Sequence, residues 1–208
     1  MSRECNLYYP ENYGWLTASL SEEEMVYLWK IVNTSGRKEE HRMASQTDGC
    51  YQLFDEYDYF FENVLLKLAS AYESNYGTTL RQLPTGTNDE LYLDGIWVNY
   101  QKQNEFFPIH THNGIYSFVV WMKIPTHFED QIKDKPKVDK VLFNGLYTSD
   151  FVFNYSDLLG TNRTFEFKMS PEMEGTILFF PSKLQHAVYP FYNCDEERVS
   201  VSGNLCIK

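Results

Sequence analysis

Residues Trp97–Pro125 read WVNYQKQNEFFPIHTHNGIYSFVVWMKIP. Aromatic and β-branched runs alternate here with turn residues, which is the composition of short strands and not of helices. The stretch also holds two of the chain's five histidines, His110 and His112. If Ile109–His112 is extended, side chains two residues apart share a face, and the two imidazoles stand side by side as metal ligands would. Two polar residues on an exposed strand would give the same spacing. A second stretch, residues 175–205, GTILFFPSKLQHAVYPFYNCDEERVSVSGNL, adds His186 and, twelve residues on, Arg198 at the head of another strand. If the two stretches meet, three neutral imidazoles make a site for Fe, Zn, Cu or Ni.

Further strands are predicted at Leu91–Leu93, Ile96–Gln101, Tyr116–Lys123, Val141–Phe143, Phe151–Tyr155, Arg163–Lys168, Thr176–Phe180 and Val199–Cys206, with a turn marked by Gly160 and Asn162. Two helices precede them. Ser21 and Glu24 have capping-box spacing, and Met25, Leu28, Trp29 and Val32 follow at helical intervals. A second helix is expected from about Asp55 to Asn75, with Phe61, Leu65, Leu68 and Tyr72 on one face and Gly77 as its cap. The first 20 residues read as irregular with room for one short strand. Residues 33–49, 78–90 and 126–140 read as loops. Two helices and then eight or nine short strands predict an α+β fold: one domain over residues 1–208, helical to about residue 90. From about 91 to 208 it is a double-stranded β-helix (jelly-roll) barrel, with the helices packed on its outside.

The 208 residues suffice for one buried core, and 43% hydrophobic with 17% aromatic content is that of a globular chain. A net charge of −11 repels phosphate backbones, so nucleic acid is excluded as an expected partner. The four cysteines, Cys5, Cys50, Cys194 and Cys206, show no CxxC spacing, which fits reduced thiols in a cytoplasm. No apolar run reaches membrane-spanning length, and no N-terminal segment pairs a basic region with an apolar core, so no membrane association is expected. Nothing specifies an oligomer.

The last strand alternates informatively. Arg198, Ser200, Ser202 and Asn204 share one parity, and Val199, Val201, Gly203 and Leu205 the other. One set then points into a barrel and the other meets the helices. An arginine inside needs a partner, such as a ligand carboxylate gripped bidentately. An arginine outside would pair with Glu196 or Glu197.

WVNYQ, EFFPIHTH with SFVVWMKIP, GTILFFPSKLQHAVYPF and ERVSVSGN, in this order over residues 97–204, resemble the Fe(II)- and 2-oxoglutarate-dependent oxygenases. More closely, they look like the small, prolyl-hydroxylase-like oxygenases of marine cyanobacterial tailed phages. The resemblance implies Fe(II) and 2-oxoglutarate as cofactors, O2 as co-substrate and ascorbate as a candidate reductant. The reaction implied is a hydroxylation coupled to decarboxylation of 2-oxoglutarate to succinate. The substrate implied is a protein or peptide side chain such as proline, or a small polar metabolite. A phage-encoded enzyme would act in the host cytoplasm.

The resemblance assigns His110 and His186 to the metal. His112 stands where the superfamily usually has a carboxylate, although a branch of similar small oxygenases carries His-x-His as well. It assigns Arg198 and Ser200 to the far carboxylate of 2-oxoglutarate. Tyr100, ten residues before His110, matches a tyrosine that helps hold the same group, or is a packed aromatic. Phe179, Phe180 and Trp121 are candidates for an apolar wall, and residues 126–150 for the rim of the entrance. Alternatives stay open: Glu105, Asp94 or water completing the metal sphere in place of His112, a cupin-like three-histidine dioxygenase that needs no 2-oxoglutarate, or an inactive barrel serving as a binding module.

Overall fold

The computed structural model describes residues 6, 12–35, 49–87, 89–134 and 147–208. After strand β1 (Leu16–Ser19), helix α1 (Glu22–Ser35) starts where the capping box predicts. The Ser21 N–H donates to Glu24 Oε2 at 2.7 Å, and the Glu24 N–H to Ser21 Oγ at 3.3 Å. The second helix begins later than the periodicity suggests. The Asp55 carboxylate accepts the N–H groups of Phe60 (2.9 Å) and Phe61 (2.8 Å), so continuous helix starts there. Tyr57 and Asp58 before it adopt positive φ. A π turn (Phe61–Leu65) leads into α2 (Leu66–Tyr76), which ends at Gly77 with φ 76°. A one-turn helix α3 (Thr79–Gln82) lies in the segment read as loop.

The strands are β2 (Cys50–Leu53), β3 (Leu91–Gln101), β4 (Phe107–His110), β5 (Tyr116–Lys123), β6 (Phe151–Ser156), β7 (Asn162–Phe167), β8 (Thr176–Pro181), β9 (Gln185–Val188) and β10 (Arg198–Ile207). A six-stranded sheet runs β1-β8-β5-β10-β3-β2, and a four-stranded sheet runs β4-β9-β6-β7. All pairings are antiparallel. This is the jelly-roll architecture expected.

The differences are local. The expected break at Asp94 and Gly95 does not split β3; a register shift opposite Asn204 and Leu205 absorbs it. Strands β2 and β9 are additional: each has only four residues and is defined by its neighbours. The segment read as loop after Pro125 contains α4 (Phe128–Asp134). The buried Gln131 fastens it, its amide donating to Tyr192 O at 2.9 Å while its carbonyl accepts the Tyr192 N–H at 2.7 Å. The predicted strand Val141–Phe143 lies outside the described residues, as do residues 36–48 of the predicted loop 33–49.

Strand parity divides the interior. On one face of the large sheet, Val98, Phe118, Val120, Phe179, Val199 and Val201 share one apolar cluster with Leu28 and Ile31 of α1 and Tyr72 of α2. Phe60 meets Phe118 with ring centroids 5.8 Å apart. Gly203 belongs to this face because a Cβ there would stand 2.6 Å from the Phe118 ring. The opposite face joins the small sheet through Val119, Trp121, Phe151, Phe153, Leu178 and Phe180. Each such side chain contributes about 1.5–3 kcal/mol when fully buried. Among the described residues no helix is long and apolar enough to cross a membrane.

Candidate metal centre

The antiparallel register of β4 with β9 sets His110 opposite His186. His112 arrives differently from expected. Strand β4 stops at His110, so the pair does not sit on one extended strand. The His112 N–H donates to Ser182 O at 2.9 Å, and this hydrogen bond brings His112 against His186. Ring centroids are 5.0 Å apart for His110 and His112, 4.2 Å for His110 and His186, and 5.0 Å for His112 and His186. One ligand nitrogen from each lies within 4.8 Å of the others.

The protonation pattern suits a cation. The Nδ1–H of His110 points to Pro108 O at 2.7 Å and that of His186 to Leu184 O at 2.9 Å, which leaves both Nε2 lone pairs free. His112 Nε2 lies 3.2 Å from His186 Nε2. Two such acceptors are satisfied together by a proton on one or by a shared cation. Burial, then the neighbouring His110 and Lys183, hold the His112 ring at a pKa of about 4. Burial and the other two rings hold His186 well below the usual histidine value. Both rings are therefore neutral, ligand-competent bases at neutral pH. The donor set fits a borderline divalent metal such as Fe(II).

No carboxylate joins this cluster among the described residues. Asp94 is exposed, 3.4 Å from the Tyr92 hydroxyl, and Glu105 accepts the Lys102 N–H at 2.8 Å in a turn.

The histidines open on a cavity of about 160 Å3. Its walls include Trp121, Phe151, Phe180 and Val188, and its polar residues include Asn99, Ser200 and Ser202. Arg198 lines it too, at 1% exposure, so the arginine is inside the barrel. Glu196 pairs instead with Lys123 at 2.6 Å. Arg198 donates to Gln101 Oε1 (3.2 Å), Ser149 O (2.9 Å) and Ser149 Oγ (2.6 Å), and its Nε has no partner. Burial lowers its pKa to about 10, so it stays charged at neutral pH. A buried cation whose hydrogen-bond partners are all neutral fits an anion.

Tyr100 is not brought to the cavity. It lies on the other face of β3, packed against the helix-side core with its ring 6.0 Å from Tyr51. Of the candidate wall, Trp121 and Phe180 line the cavity, whereas Phe179 faces the helices. Gln101 and Ser149, which hold Arg198, escaped the sequence reading. Gln101 was legible as a residue on the cavity parity of β3. Ser149, in a loop, had no signal.

Residues 95–204, just over half the chain, match the protein family described as "Putative 2OG-Fe(II) oxygenase". The chain belongs to the 2OG-Fe(II) oxygenases. No curated protein sequence matches it. Among solved structures, the fold is similar to a Pseudomonas putida prolyl-4-hydroxylase at 14% identity, TM-score 0.57 and 94% coverage of each chain. It is also similar to the viral collagen prolyl hydroxylase of Paramecium Bursaria Chlorella virus-1, solved with 2OG, at 13% identity and TM-score 0.53, covering 92% of this chain and 94% of the other. For this oxygenase, the family supplies the cofactor pair, Fe(II) and 2-oxoglutarate, with O2 as co-substrate, and His110, His112 and His186 form a cluster able to hold the iron.

Proposed function

We propose that this oxygenase is a hydroxylase in which His110, His112 and His186 hold Fe(II), while Arg198 and Ser200 hold the far carboxylate of 2-oxoglutarate. When bound, Fe(II) would supply the O2 chemistry: 2-oxoglutarate loses CO2 and becomes succinate with one oxygen atom of O2, and the other oxygen atom goes to the substrate. One observation carries the reading: a three-imidazole cluster and a buried arginine without an acidic hydrogen-bond partner line a single cavity.

The chain's own residues then have separable tasks. Pro108 O and Leu184 O fix the rings of His110 and His186 in the tautomer that offers Nε2. Gln101 and Ser149 hold the guanidinium without neutralising it. Trp121, Phe151 and Phe180 keep the cavity apolar between the two ends, which excludes water and strengthens the charge contact.

The proposed substrate is a protein or peptide side chain, proline among the candidates, or a small polar metabolite. The support is the fold shared with prolyl hydroxylases. Residues 135–146 of the expected entrance rim lie outside the described residues. The test incubates the protein with Fe(II), 2-oxoglutarate and a proline-containing peptide library in air. The expected result is succinate formed in proportion to peptide that has gained one oxygen atom. Succinate without oxygenated peptide is uncoupled turnover and counts against the peptide class. Oxygen uptake that needs Fe(II) but not 2-oxoglutarate would instead favour the three-histidine dioxygenase reading, which the all-histidine cluster among the described residues also fits.

A further inference from the structure

The residue after Ser149 has no task in this account. Asp150 is 1% exposed, and neither carboxylate oxygen has a hydrogen-bond partner. Its backbone is held on both sides, the N–H donating to Tyr147 O at 2.9 Å and the carbonyl accepting the Tyr189 N–H at 2.8 Å. The carboxylate is therefore fixed one residue from the group that carries two of the three hydrogen bonds of Arg198. It does not line the cavity and makes no direct ion pair with Arg198. It does act on that guanidinium through its charge. A buried carboxylate without hydrogen bonds is costly, and the charges of Arg198 and Lys168 offset only part of that cost.

We propose that Asp150 sets the affinity of the Arg198 end of the cavity for a carboxylate: ionised, it weakens anion binding; protonated, it permits it. The proposal rests on the reading of this cavity as the 2-oxoglutarate site. An ionised Asp150 offsets part of the Arg198 charge and repels an incoming dianion across a low-dielectric interior. Both forms are accessible near neutrality. Burial drives the carboxyl up to about 7, helped by the charge of Glu166 on β7 and opposed by Arg198 on β10 and by Lys168. The flanking Tyr189 phenol is pushed upward by burial and by Tyr147, so it adds no charge. Binding of the dianion must then be accompanied by proton uptake at Asp150.

The test is anaerobic calorimetry of 2-oxoglutarate binding to the Fe(II)-loaded protein between about pH 6 and about pH 8, in buffers of different ionisation enthalpy. Wild type should bind roughly three- to tenfold more tightly at the acid end and take up protons near neutrality. Asp150→Asn should bind at the alkaline end as wild type does at the acid end, with that proton uptake gone. Glu166→Gln, an exposed change that spares the packing, should move the midpoint of the affinity change to lower pH. An Asp150→Asn protein that keeps the wild-type slope overturns the role of Asp150 and leaves the co-substrate reading intact. Should that variant not fold, an unmoved midpoint in Glu166→Gln overturns it equally. A wild type that binds no 2-oxoglutarate at any pH overturns both readings together.

Discussion

The two faces of β10 do opposite things with one backbone. Val199, Val201 and Leu205 are buried in the cluster shared with the helices. Arg198, Ser200 and Ser202, alternating with them, line the cavity. Strand β3 beside it repeats the division, with Val98 and Tyr100 on the helix side and Trp97, Asn99 and Gln101 on the cavity side. A two-residue period thus separates what holds the barrel closed from what binds a ligand in it. Substitutions on one face should change stability and those on the other binding.

Arg198→Ala puts the sharpest strain on that division. It removes a buried charge that the cavity can use for a carboxylate, and the dissociation constant for 2-oxoglutarate should rise on the order of a hundredfold by anaerobic titration. A rise below threefold would break the division. Asp150→Asn comes next, read as stability. The folded carboxyl titrates at about 7 against 3.8 for an unperturbed one, so the folded state binds more protons between those values. Stability from this residue is therefore fully present below about pH 4 and lost as pH rises through about 7. Asparagine removes the loss, and denaturant unfolding near pH 8 should show a gain on the order of 2 kcal/mol that vanishes near pH 4.

On the helix face, Val201→Ala should lower stability by about 2 kcal/mol and leave 2-oxoglutarate affinity within about twofold. Tyr100→Phe is the smallest change: an affinity shift of no more than about twofold, because the ring packs by Tyr51 and away from the cavity. A tenfold loss with Tyr100→Phe would return that hydroxyl to the site.

Long strands could be read from the sequence because each carries a sustained aromatic and β-branched run, as β5 does, or a two-residue alternation, as β10 does. Tyr116–Lys123 was expected with the bounds it has. Strands β2 and β9 could not, since four residues do not establish a period, and their pairing partners lie far along the chain. His112 shows the same limit within the site. Its spacing from His110 suggested one strand, but it is the Ser182 carbonyl, seventy positions on, that holds it in place. Tyr100 misleads because spacing from a histidine says nothing about parity. Gln101, its neighbour, has the cavity parity and meets Arg198. Ser149 and Asp150 sit in the loop just before β6, where no helical or strand period fixes their placement.

The most direct measurement of the central claim is an anaerobic titration of metal-free protein with Fe(II) and then 2-oxoglutarate, followed in the visible region and repeated with His186→Ala. A charge-transfer band of the chelated keto acid that appears in wild type and is absent in His186→Ala is the predicted result. Iron binding without that band, or a band that survives His186→Ala, would contradict the assignment of His110, His112 and His186 to a centre that works with 2-oxoglutarate.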